Sequence, residues 1–290
     1  MSILVDRNTR LIVQGITGRQ GSFHTRRMKQ DGTNIVAGVV PGKRGQDFEG
    51  IEIFDTVLEA RLAKGANASI IFVPPQIASA SIREAIDAGI EVVVCITDGV
   101  PIHEMMEIKQ RLKEGKTRLI GPNTPGLITP GETKLGIMAG HIFKKGPIGI
   151  VTRSGSLTYE IAYELTRAGL GQSTVVGLGG DYIKGADFVD IMPLFDQDPD
   201  TKLVVMVGEI GGTDEERATE CIKAGFSKPV IAYLAGRSAP PGQKMGHAGA
   251  IISQGKGTFE SKIKAFKNAN IPVANYPIEV KDIALGLLKR

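Results

Sequence analysis

Short β-branched runs alternate with longer amphipathic stretches from one end of this 290-residue chain to the other. In the first half the runs are "RLIVQ" (10–14), "IVAGVV" (35–40), "SIIFV" (69–73), "EVVVCI" (91–96) and "RLIG" (118–121). Helical patterns follow most of them. In 78–89 the apolar positions Ile82, Ala85 and Ile86 recur at helical spacing and Gly89 supplies a stop; 101–115 has Pro101 at its start and Gly115 at its end. Buried strands alternating with helices have one economical arrangement, a parallel, doubly wound sheet. The rhythm breaks over "GPNTPGLITPGETKLG" (121–136), rich in Pro, Gly and Thr, and then restarts with "IGIVT" (148–152), "TVVGL" (174–178), "LVVMVG" (203–208), "PVIAYLA" (229–235) and "IPVAN" (271–275). We therefore expect two α/β domains, 1–124 and 147–290, joined by a connecting segment at 125–146. Both halves open alike, strand, Gly/Ser/Thr turn, helix, glycine stop, at 11–32 and 148–169.

Composition narrows the function classes. The length fits two domains of ordinary size, and 42% apolar residues suffice for two cores. The basic excess is small, 35 Lys+Arg against 31 Asp+Glu, and interspersed. It suits a local anion pocket and lacks the basic clusters with aromatics of a nucleic-acid binder. Cys95 and Cys221 form no CxxC pair and read as small core residues in a reducing compartment. "MSILVDRNTR" has neither signal-peptide nor transit-peptide character, and no apolar run is long enough for a bilayer. The expectation is a cytoplasmic chain with no membrane and no nucleic-acid partner, or a mitochondrial matrix chain if it is a processed eukaryotic one.

In a parallel sheet, ligands bind beyond the carboxyl ends of the strands. In the first half the segments there are "GITGRQG" (15–21), "PGKRG" (41–45), "PPQ" (74–76), "TDG" (97–99) and "PNTPG" (122–126). Small residues, hydroxyls, Lys43, Arg44 and helix N-termini make a cradle for a phosphorylated ligand of nucleotide size. Gly15, Gly18 and Gly21 have GxxGxxG spacing, not the GxGxxG of dinucleotide dehydrogenases, and no acidic ribose anchor follows the second strand, which counts against NAD. In the second half, "RSGS" (153–156) opens a helix, so Ser154, Gly155 and Ser156 can present hydroxyls and amides to a phosphate. "GEIGG" puts Glu209 after a very apolar strand. "KMGHAGAII" sets His247, one of four histidines, between glycines beyond the long "APPG" loop. Taken singly, Ser154 reads as well as an ordinary N-cap, Glu209 reads first as a helix-start carboxylate and His247 first as a surface histidine. Together they fall at one end of one sheet. Neutral imidazole is a good nucleophile toward phosphorus, and a carboxylate on its other nitrogen would set the tautomer. "HEMME" (103–107) lacks the second histidine of a zinc motif, and "QRLKEGKT" (110–117) lacks the leading glycine of a P-loop and closes a helix.

With "VQGITGRQGSFH", "PGKRG", "GPNTPGLITPGE", "VTRSGSLTYE", "GEIGG", "KPV" and "MGHAGAII" in this order, the chain resembles the α subunits of succinate–CoA ligases (succinyl-CoA synthetases) over nearly its whole length. The resemblance implies a Rossmann-like CoA-binding domain and a flavodoxin-like domain carrying a phosphohistidine. It also implies coenzyme A and succinate as substrates, with phosphate and a magnesium nucleotide. The nucleotide is bound by a separate β subunit of ATP-grasp type, in a heterodimer or heterotetramer, and no metal is bound by this chain. It makes His247 the phosphorylated residue, Glu209 its hydrogen-bond partner and Ser154, Gly155 and Ser156 the phosphate-holding helix start. Thr17, Gly18, Arg19, Gln20, Lys43, Ile96, Thr97 and Asp98 become the CoA contacts, and Tyr159 an acid-substrate contact. Thr124 stands where many members have Cys, and Tyr182 where Pro is usual. The alternatives are a ligase for another dicarboxylic acid such as malate, a non-catalytic CoA-binding protein, and an NAD-dependent dehydrogenase.

Overall fold

A computed structural model describes residues 2–240, 242–253 and 255–289; Pro241 of the "APPG" loop therefore lies outside the described residues. The chain divides into two compact units. One is Leu4–Met138 with the short return Ile183–Ala186; the other takes Ala139–Tyr182 and the chain from Asp187 onward.

In the first unit the strands are β1 (Leu11–Gln14), β2 (Ile35–Val39), β3 (Asp47–Phe48), β4 (Ile51–Phe54), β5 (Ala68–Ile71), β6 (Val92–Cys95) and β7 (Arg118–Ile120). The helices are α1 (Arg19–Gln30), α2 (Val57–Lys64), α3 (Pro75–Asp87) and α4 (Ile102–Glu114). The sheet order is β3-β4-β2-β1-β5-β6-β7, parallel except for the antiparallel edge β3. The chain leaves β1 on one side for β2 and β4, then returns to the other side for β5. This creates a switch point beside the Gly15–Gly18 turn. Strands β1, β5 and β6 are buried along their whole length, as continuous β-branched runs demand between two helix layers. The one polar interior residue of β1, Gln14, donates to Ser69 Oγ (3.0 Å) and the Ser81 carbonyl (3.2 Å).

Residues 121–136, expected as irregular connection, contain an antiparallel hairpin of β8 (Gly126–Thr129) and β9 (Thr133–Gly136) that belongs to the first unit. Its glycines are there for close approach. A Cβ at Gly126 would lie 2.0 Å from the Leu135 carbonyl oxygen, and one at Gly136 2.2 Å from that of Pro125. Thr33 Oγ1 donates to the Lys134 carbonyl (2.7 Å), and the buried Lys134 ammonium pairs with Asp31, tying the hairpin to the end of α1. Composition alone reads such glycines as loop; paired facing glycines make a strand contact.

In the second unit the strands are β10 (Lys145–Thr152), β11 (Gln172–Gly177), β12 (Leu203–Glu209), β13 (Val230–Ala235) and β14 (Val273–Ala274). The helices are α5 (Gly155–Arg167), α6 (Phe188–Gln197), α7 (Asp214–Lys223), α8 (Phe259–Asn268) and α9 (Glu279–Leu288). Its own strands run β11-β10-β12-β13-β14, all parallel, the flavodoxin-like order with a switch point between β10 and β12. Ile148, Ile150, Val151, Val205, Met206, Val207, Phe188 and Phe195 fill the core and are fully buried. No described helix is long and apolar enough to cross a membrane.

Replacing Gly126 by Ala is expected to lower the stability of the first unit by about 2 kcal/mol, because its Cβ would overlap backbone on the facing strand. Urea unfolding of the variant checks this; a loss below about 0.5 kcal/mol, the usual scale of a harmless surface change, would contradict it.

Candidate functional site

The two switch points carry different chemistry. In the second unit, β10 ends at Thr152, Arg153 follows it, and α5 starts at Gly155. Ser154 is its N-cap: the hydroxyl accepts from Leu157 N (3.4 Å), while Thr152 Oγ1 accepts from Ser154 N (3.0 Å). The side chain of Ser154 is thus engaged in capping. The amides of Gly155 and Ser156 open the helix, where no intrahelical carbonyl is available to them, and Ser156 is exposed. The first turn of α5 holds no acidic residue, so the positive end of the helix is uncompensated.

Glu209 is the last residue of β12, one position inside the strand compared with the sequence reading. His247 stands in a tight loop in which Met245 N donates to the Ala250 carbonyl (2.9 Å) and Gly249 N to the Gly180 carbonyl (2.9 Å). His247 Nδ1 lies 2.8 Å from Glu209 Oε2. The carboxylate can only accept, so the neutral ring carries its proton on Nδ1 and has its lone pair on Nε2. The His247 side chain is 32% exposed, the Glu209 side chain 7%. Behind the ring is Gly180, where a Cβ would sit 2.5 Å from His247 Cγ and 2.9 Å from Nδ1. Tyr159, half-buried on α5, packs against Phe143 with ring centroids 6.2 Å apart, and burial raises its phenol pKa.

Four further residues, absent from the sequence-based set, stand behind Glu209. Glu209 Oε1 is 3.1 Å from Arg153 Nη2, misaligned for a hydrogen bond but a close ion pair. Arg153 Nη1 donates to Glu215 Oε1 (3.0 Å) and to the Gly211 carbonyl (3.1 Å), and Nη2 to the Gly249 carbonyl (3.4 Å). The Lys262 ammonium donates to Glu215 Oε2 (2.5 Å) and Glu216 Oε2 (2.9 Å). Arg153, Glu215 and Lys262 are almost wholly buried. Burial disfavours the charge on Arg153, but Glu215 and Glu209 outweigh it and hold the guanidinium above its ordinary pKa. Burial likewise pushes the Glu215 carboxyl up, and Arg153 and Lys262 overcome it, so the carboxyl lies below its ordinary range. Three carboxylates against two cations leave the chain one negative charge in excess, with the imidazole at its open end.

In the first unit, Gly18 caps α1 without a side chain, and Gly18, Arg19 and Gln20 are exposed at its N-terminus. Lys43 Nζ donates to Thr17 Oγ1 (3.1 Å), which joins the 41–45 loop to the β1 turn. Asp55 Oδ1 fixes that loop by accepting from Gly42 N (2.7 Å) and Arg44 N (3.2 Å). Thr97 Oγ1 donates to the Val73 carbonyl (2.6 Å), so its hydroxyl supports the neighbouring strand end, with Ile96 half-buried and Asp98 exposed beside it. The P-loop-like segment closes α4 and opens no helix. No group of three or more His, Cys, Asp or Glu able to hold a metal occurs among the described residues.

Comparison with known proteins gives this geometry its class. Residues 6–99 match the CoA-binding domain family and residues 151–271 the CoA-ligase family, the domain pairing of an acid–CoA ligase. The chain is 57% identical over 288 residues to the ADP-forming succinate–CoA ligase subunit alpha 2 of Archaeoglobus fulgidus, covering 99% of this chain and 100% of that one. It is 54% identical to the corresponding subunit alpha of Aquifex aeolicus, covering 100% of this chain and 95% of the relative. The chain belongs to the succinate–CoA ligase α-subunit family. Among solved structures, ATP citrate lyase from Methanothrix soehngenii in complex with citrate and coenzyme A superposes with a TM-score of 0.88 at 26% identity, over 98% of this chain and 51% of that chain. A dinucleotide forming acetyl-coenzyme A synthetase from Ca. Korarchaeum cryptofilum, at 20% identity and TM-score 0.75 over 95% of this chain and 60% of that one, shows the same fold.

Glu215 gives this site an acid limit. Its folded pKa is below the ordinary 4.5, so the stabilisation is fully present above about pH 4.5 and is lost as the pH falls toward the folded value. Thermal melts from neutral pH downward are expected to be flat to that point and then to drop. In Glu215→Gln the neutral-pH stability falls by about 3–5 kcal/mol, because Arg153 and Lys262 lose their shared counter-ion, and the acid drop shrinks. An unchanged acid drop in the variant would contradict the assignment.

Proposed function

We propose that this chain is the CoA-binding, phosphohistidine-bearing subunit of an ADP-forming succinate–CoA ligase, working with a β subunit of ATP-grasp type that holds the magnesium nucleotide. The observation that carries the reading is the 2.8 Å pair between His247 Nδ1 and Glu209 Oε2. It presents Nε2, with its lone pair, in a glycine-lined loop. The names of the 52–57% identical relatives support succinate as the acid and ADP as the product nucleotide.

The reaction runs in three displacements. His247 Nε2 attacks the γ-phosphorus of ATP, an N–P bond forms and the P–O bond to ADP breaks. Glu209 keeps the Nδ1 proton and offsets the positive charge that develops on the ring. A carboxylate oxygen of succinate then attacks phosphorus and the N–P bond breaks, giving succinyl phosphate and neutral His247. The CoA thiolate attacks the acyl carbon, and phosphate leaves as the C–O bond breaks. The amides of Gly155 and Ser156 and the positive end of α5 suit a transferred phosphoryl group, with the Ser154 hydroxyl holding that helix start in shape. Tyr159 suits the acid substrate. Thr17, Gly18, Arg19, Gln20 and Lys43, with Ile96, Thr97 and Asp98, suit the phosphates and adenosine of CoA at the open N-terminus of α1. We place the protein in the cytoplasm.

Incubation of the α/β pair with γ-labelled ATP is expected to put acid-labile label on this chain and none on His247→Asn; undiminished label in that variant overturns the reading. Lys43→Ala is expected to weaken CoA binding about tenfold, the value of one charge-assisted hydrogen bond, as read by calorimetry. Turnover on succinate, malate and citrate in parallel identifies the acid.

A further inference from the structure

The proposed chemistry uses His247 and Glu209 and leaves the charges behind them without a role. Arg153 is their hub. Its guanidinium touches the strand-end carboxylate Glu209, the Gly211 carbonyl in the loop after β12, the Gly249 carbonyl in the histidine loop, and Glu215 on α7. Glu209 has two oxygens with different tasks. Oε2 meets the imidazole and Oε1 faces Arg153 Nη2 at 3.1 Å. Nothing else of positive charge contacts this carboxylate among the described residues.

A buried carboxylate without a cation takes up a proton, since burial disfavours its charged form. Protonated Glu209 would donate to Nδ1 instead of accepting from it. The ring proton would then sit on Nε2, the nitrogen that has to attack phosphorus. We propose that Arg153 is a positioning residue: it keeps Glu209 ionised and thereby fixes the His247 proton on Nδ1, leaving the lone pair on Nε2. The inference rests on the phosphohistidine reading above and names a residue outside it. Glu215, held by Lys262, is the second counter-ion that stops Arg153 from being drawn wholly to Glu209.

The charged groups packed around this pair are Arg153 after β10, Glu215 and Glu216 on α7, Lys262 on α8 and Asp214, which acts on Arg153 from the start of α7; the charged residues next in sequence to Gly180 and in the histidine loop are the buried Asp181 and the exposed Lys244. Arg153 contacts both Glu209 and the backbone of the histidine loop.

The test reads proton position and pH dependence, which a packing role would leave alone. The full chain, labelled with 15N-histidine, gives the tautomer of His247 by NMR, its signal assigned by loss in His247→Asn. In parallel, the α/β pair is labelled with γ-phosphate from ATP across the pH range. Wild type is expected to show the Nδ1–H form. In Arg153→Met the proton should spread to Nε2, and the acid limb of labelling should move up by about one pH unit or more. Label at about pH 6 then falls about tenfold relative to pH 8. Arg153→Lys, which keeps the charge and loses the fork, should bring the limb back to within about half a unit of wild type. If Arg153→Met does not fold, Arg153→Met with Glu215→Gln removes the stranded second carboxylate and is read the same way. A wild-type tautomer and an unmoved acid limb, with only the amplitude reduced, overturn the proposal. Absence of label on wild type at every pH overturns the phosphohistidine reading instead, and the NMR tautomer still decides the role of Arg153.

Discussion

One guanidinium between two carboxylates holds the second unit's functional end together. Arg153 sits just past the end of β10, and the end of β12, the segment that follows it and the histidine loop after β13 are fixed to it by ion pairs and carbonyl contacts. Such a buried arrangement is costly to assemble, since each ion gives up its hydration, and it survives only because the charges alternate from Glu209 through Arg153, Glu215 and Lys262 to Glu216. Its return is geometric. A strand terminus, a helix start and a histidine loop that would otherwise drift independently share one anchor. The imidazole is tied to that anchor through Glu209, and to its own loop through backbone hydrogen bonds.

The strand ends of the first unit carry fewer buried charges. Its switch point offers a helix start without a side-chain cap, one lysine bonded to a threonine, and a loop held by Asp55 through backbone amides. Exposed amides and one tethered lysine are the kind of surface from which an anionic ligand can readily leave. A nest of fixed ion pairs like that of the second unit would be the wrong instrument there. The two units share a fold class and differ in how their strand ends are charged.

Most of the architecture was legible because buried parallel strands are written as unbroken β-branched runs; the order of the strands within each sheet was not, since the runs carry no record of which neighbour each one pairs with. The pairing of Glu209 with His247 was legible too, since post-strand loops of one sheet share an edge. The supporting charges were not. Glu215 and Glu216 lie in the first turn of α7, where acids are favoured at any helix N-terminus, so their pattern carries no sign of a buried partner, and Arg153 is one residue before the serine cap with nothing in its spacing to mark it. Lys262 carried a signal that could have been taken: it follows Phe259 by three residues and precedes Phe266 by four, on the buried stripe of α8, where a lysine needs a buried partner. The hairpin at 126–136 was hidden for the opposite reason, because glycines required by strand contact have the composition of a loop.

Gly180 has a consequence for what the histidine loop can tolerate. A Cβ there would overlap the imidazole on the side that holds its bond to Glu209, 2.5 Å from Cγ and 2.9 Å from Nδ1. Any larger residue at 180 has to push the ring off its carboxylate, so the smallest side chain in the neighbourhood guards the geometry of the most reactive one.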